Sequence, residues 1–210
     1  NNVPVADFFC GNCNEDFELK SKSNGLSKKI VNGAYQTMID RLADVHNPNF
    51  FLLNYDLSSY QVANFFVIPK HFFIPEIIEK RNPLSITARR AGWVGCNILL
   101  NKIPEVGRIF LIRDGKVEEK ENVCALWQKT LFLREEKKID SRGWILSVMR
   151  CIELLHKKEF TLADVYGFEP MLAKQYPRNR HIRDKIRQQL QLLRGRNYIQ
   201  FTNRGKYRII

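Results

Sequence analysis

The chain has 210 residues, 44% of them hydrophobic, and 34 Lys and Arg against 22 Asp and Glu give a net charge of +12. That apolar content supports a buried core and excludes a disordered tail. No apolar run approaches the roughly 20 residues of a transmembrane helix, and the first residues do not read as a signal peptide, so a soluble intracellular protein is expected.

Residues 3–9 read as a strand, a tight knuckle comes next at Cys10-Gly11-Asn12-Cys13, and residues 17–22 read as a second strand. The chain lacks an initiator Met and is in a strand almost at once, so further residues are expected upstream of Asn1. Ala34, Met38, Leu42 and Val45 lie close to helical spacing and predict a helix over residues 30–45. Apolar runs at 50–55 and 62–68 predict a hairpin, and Pro69 and Pro75 punctuate the stretch beyond it. A strand over 108–112 leaves through an Asp114-Gly115 turn, and 122–133 reads as a helix. Glu135-Glu136-Lys137-Lys138 contains no apolar residue and reads as a linker between domains at 1–138 and 139–210. Beyond it, helices are predicted over 144–155, 161–166 and 179–194, then an alternating hairpin over 198–210. Three helices followed by a hairpin is a winged-helix order. The fold class is therefore an α/β (α+β) body followed by a C-terminal winged helix.

The charge is unevenly placed. Fifteen of the 34 cations, but only six of the 22 acids, lie after position 138. An excess of that kind points to nucleic acid as the partner and to the last third as the anchoring surface. Five cysteines, an odd number, argue against a disulfide framework. Cys96, Cys124 and Cys151 stand in apolar surroundings and are expected to be buried thiols.

Five patterns carry candidate chemistry. Asp7 precedes Glu18-Leu19-Lys20 by ten residues, on two short strands expected to pair. Alternation along a strand puts Glu18 and Lys20 on one face and turns Leu19 toward the core. Two carboxylates with the Leu19 carbonyl form an oxygen site suited to Mg²⁺, and Lys20 beside it would orient a water and offset charge. An acid-x-Lys pair is also an ordinary solvated strand face. Cys10-x-x-Cys13 is half of a tetrahedral zinc site, or equally a pair of free thiols in a turn.

In the segment from Asn179, Ile182, Ile186, Leu190 and Leu193 form one stripe. Arg180, Arg183, Arg187, Gln191 and Arg194 form an adjacent one, with His181 and Gln188 beside them. A helix read in a major groove needs that two-sided character, although an amphipathic helix with a solvated basic face has it too. The hairpin tip Asn203-Arg204-Gly205-Lys206, with Arg208 behind it, suits a wing on phosphates or a plain charged edge. Arg89 and Arg90 beside Trp93 could grip DNA, although a Trp is more often core than contact. Trp144 belongs to an apolar helix face and is read as core.

These stretches together resemble a known family. They are Pro4-Val5-Ala6-Asp7-Phe8, Phe17-Glu18-Leu19-Lys20-Ser21-Lys22, Thr87 to Trp93 with Gly95-Cys96-Asn97-Ile98, Ser141-Arg142-Gly143-Trp144, Ile186-Arg187-Gln188-Gln189-Leu190-Gln191 and Arg204-Gly205-Lys206-Tyr207-Arg208. In that order, over essentially the whole chain, they resemble the DpnI family of methyl-directed restriction endonucleases. The resemblance implies a PD-(D/E)xK nuclease domain with a C-terminal winged helix, cutting double-stranded, adenine-methylated GATC DNA with Mg²⁺ in a bacterial cytoplasm. It implies Asp7, Glu18 and Lys20 as the catalytic group, Trp93 as a DNA contact, and Cys10 and Cys13 as the second half of a four-cysteine Zn²⁺ site. The first cysteine pair is not in this sequence, which sets the zinc site apart from the family pattern. A monomer acting without a membrane is expected. From another class, a winged-helix transcription regulator with an inactive nuclease-like body has no reason to keep Asp7, Glu18 and Lys20 together. A zinc-knuckle RNA binder would call for base-stacking motifs that are absent.

Overall fold

Runs of aromatic and β-branched residues set the first architecture. The computed structural model describes residues 6–23, 25, 27–42 and 47–210. They divide into two compact units, 1–134 and 135–210.

In the first unit, β1 (Phe8–Cys10) and β2 (Glu15–Ser23) form an antiparallel hairpin in which Phe8 lies opposite Phe17 and Cys10 opposite Glu15. Then come β3 (Lys29–Ala34), α1 (Tyr35–Arg41), β4 (Asn49–Tyr55), β5 (Val62–Ile68), β6 (Ile78–Lys80), β7 (Gly95–Leu99), β8 (Ile109–Arg113), β9 (Lys116–Val117), α2 (Lys120–Thr130) and α3 (Phe132–Glu135). Six strands build one sheet in the order β1-β2-β4-β5-β8-β9, and a smaller sheet runs β3-β7-β6. β2 lies parallel to β4, with Glu18 beside Phe50 and Leu19 beside Phe51. One face of the large sheet is core: Phe50, Leu52, Phe66 and Ile68 are all buried, with Phe50 against Phe73 at a ring distance of 4.7 Å. Each such side chain contributes about 1.5–3 kcal/mol by burial. The Phe72 ring packs so close to Gly107 that a Cβ there would meet it at 2.6 Å, so only glycine fits.

The β4–β5 hairpin and the turn at Asp114-Gly115 stand where the sequence predicts them; both turn residues have positive φ. The helix predicted over 30–45 is corrected. Residues 29–34 are the strand β3, and only Tyr35–Arg41 is helical. Ile30 and Val31 favour a strand, Gly33 weakens a helix by about 1 kcal/mol, and pairing with β7 supplies the hydrogen bonds. Met38 and Leu42 are buried as their spacing requires, while the positions assigned to that helix at 43–46, and those assigned to the first strand at 3–5, lie outside the described residues. Cys124 is also corrected: it is exposed on α2, whereas Cys96 and Cys151 are buried. The acidic start of the expected linker is helical, as Glu135 closes α3.

The second unit contains α4 (Ile139–Leu154), β10 (Glu159–Thr161), α5 (Leu162–Tyr166), α6 (Glu169–Gln175), α7 (Ile182–Gly195), β11 (Ile199–Asn203) and β12 (Lys206–Ile209). Four helices stand where three were expected, because α6 and the short strand β10 carry little periodicity of their own. β10 joins the final hairpin in a sheet of order β10-β12-β11. A helix, a short strand, two further helices, the long α7 and a terminal hairpin make a winged-helix fold. Thr161 caps α5 reciprocally with Asp164. The bonds from the Thr161 hydroxyl and backbone N–H hold the Asp164 carboxyl at a pKa of about 2. Trp144 is core, stacked on Tyr176 at 3.9 Å.

Candidate active site and nucleic-acid interface

The β1–β2 register fixes the first cluster. Extending the pairing one residue beyond Phe8–Phe17 brings Asp7 opposite Glu18. The Asp7 carboxylate accepts a hydrogen bond from the Leu19 backbone N–H at 2.7 Å, which ties it to the middle of β2. Glu18 and Lys20, two apart on that strand, form an ion pair, with both side chains largely shielded from solvent. Leu19 alternates away from Glu18 and Lys20, but the expectation that it faces the core is corrected. It sits in register with the half-buried Phe51, while Glu18 and Lys20 lie in register with the buried Phe50 and Leu52, at the margin of the core face.

Asp7, Glu18, Leu19 and Lys20 line one side of a cavity of about 310 Å³. Asn32, Gly33 and Ala34 of β3 and Thr37, Met38 and Arg41 of α1 line the rest. The β3–β7 register slips between Asn32 and Ala34, so Gly33 stands in a bulge. The buried Cys96 thiol donates weakly to the Gly33 carbonyl at 3.5 Å. Burial pushes that thiol up to about 11, so it stays a neutral neighbour of Lys20 and Glu18.

The knuckle is a tight turn. Asn14, at positive φ, donates its N–H to the Cys10 carbonyl at 2.8 Å. Hydrogen bonds from Cys13, backbone and thiol, hold the Cys10 thiol below the usual range, while burial pushes Cys13 up. Beneath the turn, the carboxylate of Glu15, 4% exposed, pairs with Lys70 at 2.7 Å and with Arg134, and accepts a bond from Asn49. Burial lowers the pKa of Lys70. Two thiols are half a tetrahedral site, and among the described residues no group of three or more His, Cys, Asp or Glu stands close enough to hold a metal.

The second cluster lies on α7 and the terminal hairpin. Ile182, Ile186, Leu190 and Leu193 are buried as the stripe predicts. Asn179, Arg180 and His181 precede the helix rather than lying in it, with the Asn179 side chain accepting from the His181 N–H at 2.8 Å. Arg180, His181, Arg183, Arg187, Gln188 and Gln191 are exposed, as are Arg204, Lys206 and Arg208. Several of these cations already have acid partners: Arg183 with Glu169 at 2.7 Å, Arg187 with Asp184, and Arg208 with Glu159 at 2.6 Å.

Arg89, Arg90 and Trp93 belong to the loop between β6 and β7. Both arginines are exposed and the tryptophan is half-buried. Its ring lies over Gly95, where a Cβ would meet it at 2.7 Å. Sequence reasoning missed the far wall of the cavity, namely Asn32, Gly33, Thr37 and Arg41. The only available signal was the Gly33 break inside what looked like one helix.

No helix among the described residues is long and apolar enough to cross a membrane. A family model named DpnI, the Dam-replacing family, matches residues 1–136. A second, the Dam-replacing HTH domain of the same family, matches residues 140–209. At the level of the family this carries methyl-directed DNA cleavage and DNA binding. The chain belongs to the DpnI, Dam-replacing family.

Proposed function

We propose that this protein is a Mg²⁺-dependent type II endonuclease that hydrolyses double-stranded DNA at adenine-methylated GATC sites. The observation that carries the reading is the convergence of Asp7, Glu18, Leu19 and Lys20 on one cavity. Two carboxylates and a carbonyl are an oxygen-only donor set, which fits Mg²⁺ and leaves positions for water. A bound Mg²⁺ would polarise the scissile phosphate and acidify a water. Asp7 and Glu18 would hold the ion. The bond from the Leu19 N–H keeps the Asp7 carboxylate in place. Lys20 would exchange its pairing with Glu18 for the attacking water and the charge that builds on the phosphate.

Cys10 and Cys13 would supply half of a structural Zn²⁺ site, the other ligands coming from outside the described residues. The α7 face with Arg183, Arg187, Gln188 and Gln191, Arg180 just ahead of it, and the hairpin with Arg204, Lys206 and Arg208 would read and hold the duplex. Asn179, His181, Arg89, Arg90 and Trp93 would add contacts. One buried methyl contributes only about 0.8 kcal/mol, so sparing unmethylated DNA calls for a check in both units.

Digesting the same plasmid, prepared from adenine-methylating and non-methylating hosts, tests the reading. Cleavage of the methylated plasmid alone, lost in EDTA and restored by Mg²⁺, is expected. Equal cutting of both plasmids would falsify the methyl direction, and cutting in EDTA the metal requirement.

A further inference from the structure

Two groups of elements line the cavity, and the family reading concerns only the β1–β2 hairpin. The other is built by the bulged end of β3 and by α1. Thr37 and Arg41 are four residues apart on that helix, hence on one face, and both line the cavity. Arg41 carries the second positive charge of the lining, so its two cations match the two carboxylates of Asp7 and Glu18. Any divalent ion held by those carboxylates leaves the cavity with a net positive charge, which suits a polyanionic chain. In this second group, Gly33 has no atom within 4 Å of where a Cβ would stand. That open space is backed by backbone alone, so a substrate strand can come close to it.

We propose that Arg41 and Thr37 hold the phosphodiester backbone next to the scissile phosphate, across the cavity from Asp7, Glu18 and Lys20, and that Gly33 is left bare to admit that backbone. The guanidinium offers a planar fork of donors that matches two phosphate oxygens. The Thr37 hydroxyl adds a third donor on the same side. Arg41 is thereby a phosphate-holding residue that fixes where the strand lies relative to the carboxylates, a different task from activating water. The inference rests on the nuclease reading of this cavity.

The test uses the full chain with a cognate methylated duplex, binding measured with Ca²⁺ in place of Mg²⁺. Duplexes carrying one uncharged methylphosphonate at each position around the cut site are compared. Arg41→Ala is expected to weaken binding about tenfold, the scale of one charge-assisted bond. It should also flatten the slope of log affinity against log salt by about 0.9, one phosphate contact fewer. At one position the methylphosphonate should weaken the native protein and add nothing to the loss in Arg41→Ala, and Arg41→Lys should recover part of the affinity. Additive losses at every position would overturn the proposal. If circular dichroism shows Arg41→Ala misfolded, Thr37→Val decides: a loss coupled to the same phosphate supports the assignment, and no coupling at any position overturns it. Lys20→Ala, run in parallel under Mg²⁺, separates the two readings. Native-rate cutting by that variant would overturn the nuclease chemistry of the cavity, whereas the methylphosphonate coupling reads the strand-holding wall alone.

Discussion

The cavity of the first unit and the basic face of the second both gather charge, by opposite means. In the cavity, charge is placed by sheet register: Asp7 meets Leu19 because β1 and β2 pair, and Glu18 and Lys20 share a face because they are two apart. Glu18 and Lys20 are largely shielded from solvent, so the field between them is stronger than between exposed charges. On α7 and the terminal hairpin the cations are long, exposed side chains engaged with the protein's own acids, Glu169, Asp184 and Glu159. Such exposed pairs contribute about 0–1 kcal/mol each, so a phosphate can displace them at little cost. In the cavity, sheet register fixes where the groups stand and Lys20 has its partner two residues away. The reading face instead holds its cations on acids from other elements or from the preceding helical turn until a phosphate displaces them.

If that contrast is right, substitutions should have graded effects. The largest belongs to the cavity. Lys20→Ala is expected to slow cleavage by on the order of 10³-fold while binding to the duplex in Ca²⁺ is retained, as losing one preorganised charge in an active site does. Single-turnover kinetics measure it, and cutting near the native rate would remove Lys20 from the chemistry.

Next is the support beneath the knuckle. Glu15→Ala deletes a buried carboxylate that faces Lys70, Arg134 and Asn49. Two cations are left facing each other, and the first unit should lose about 3 kcal/mol of stability by urea unfolding. Glu15→Gln should lose less, since the amide oxygen can still accept from Asn49.

A smaller change, and a gain, is expected on the reading face. Asp184→Asn releases Arg187 and removes a negative charge from α7. Affinity for duplex DNA should rise roughly threefold at low salt and the gain should fade as salt screens the surface. A loss of affinity would mean that Asp184 positions Arg187 rather than occupying it.

The smallest effect is a titration. The Asp164 carboxyl sits at a pKa of about 2, below its ordinary 3.8, because Thr161 donates to it from hydroxyl and backbone. A group depressed in this way stabilises the folded state fully above its unfolded value, and that contribution is lost as pH falls through about 2. Thr161→Val removes the hydroxyl bond and should move the Asp164 titration, followed by NMR, up toward 3.8 while leaving DNA affinity unchanged. An unmoved titration would place the backbone N–H and the Lys157 ammonium, 3.2 Å away, behind the shift.

How much the sequence makes legible depends on how local each cause is. Alternation around Glu18 and Lys20, the β4–β5 hairpin and the apolar stripe of α7 are short-range patterns, and each stands where its spacing puts it. The smaller sheet is not short-range: Lys29 pairs with Leu99, and no local periodicity announces that partner. Reading residues 30–45 as one helix hid the bulge at Gly33 and with it the wall that faces the carboxylates. The ion pairs of the reading face were hidden for the same reason, since Arg208 meets Glu159 from a strand 49 positions away. Cys124 misled because apolar sequence neighbours on a helix do not share a face, and its own side is open.

The strand β1 has three residues, pairs on one side only among the described residues, and leaves Phe8 and Phe9 largely exposed. Asp7 hangs from its first end. Short edge strands open at a small fraction of the global unfolding free energy. The hairpin therefore acts as a fuse: on warming, the carboxylate should swing away from Leu19 while the rest of the sheet is still whole. Cleavage activity should then fail several degrees below the loss of ellipticity, and whatever clamps the Cys10–Cys13 turn should close that gap.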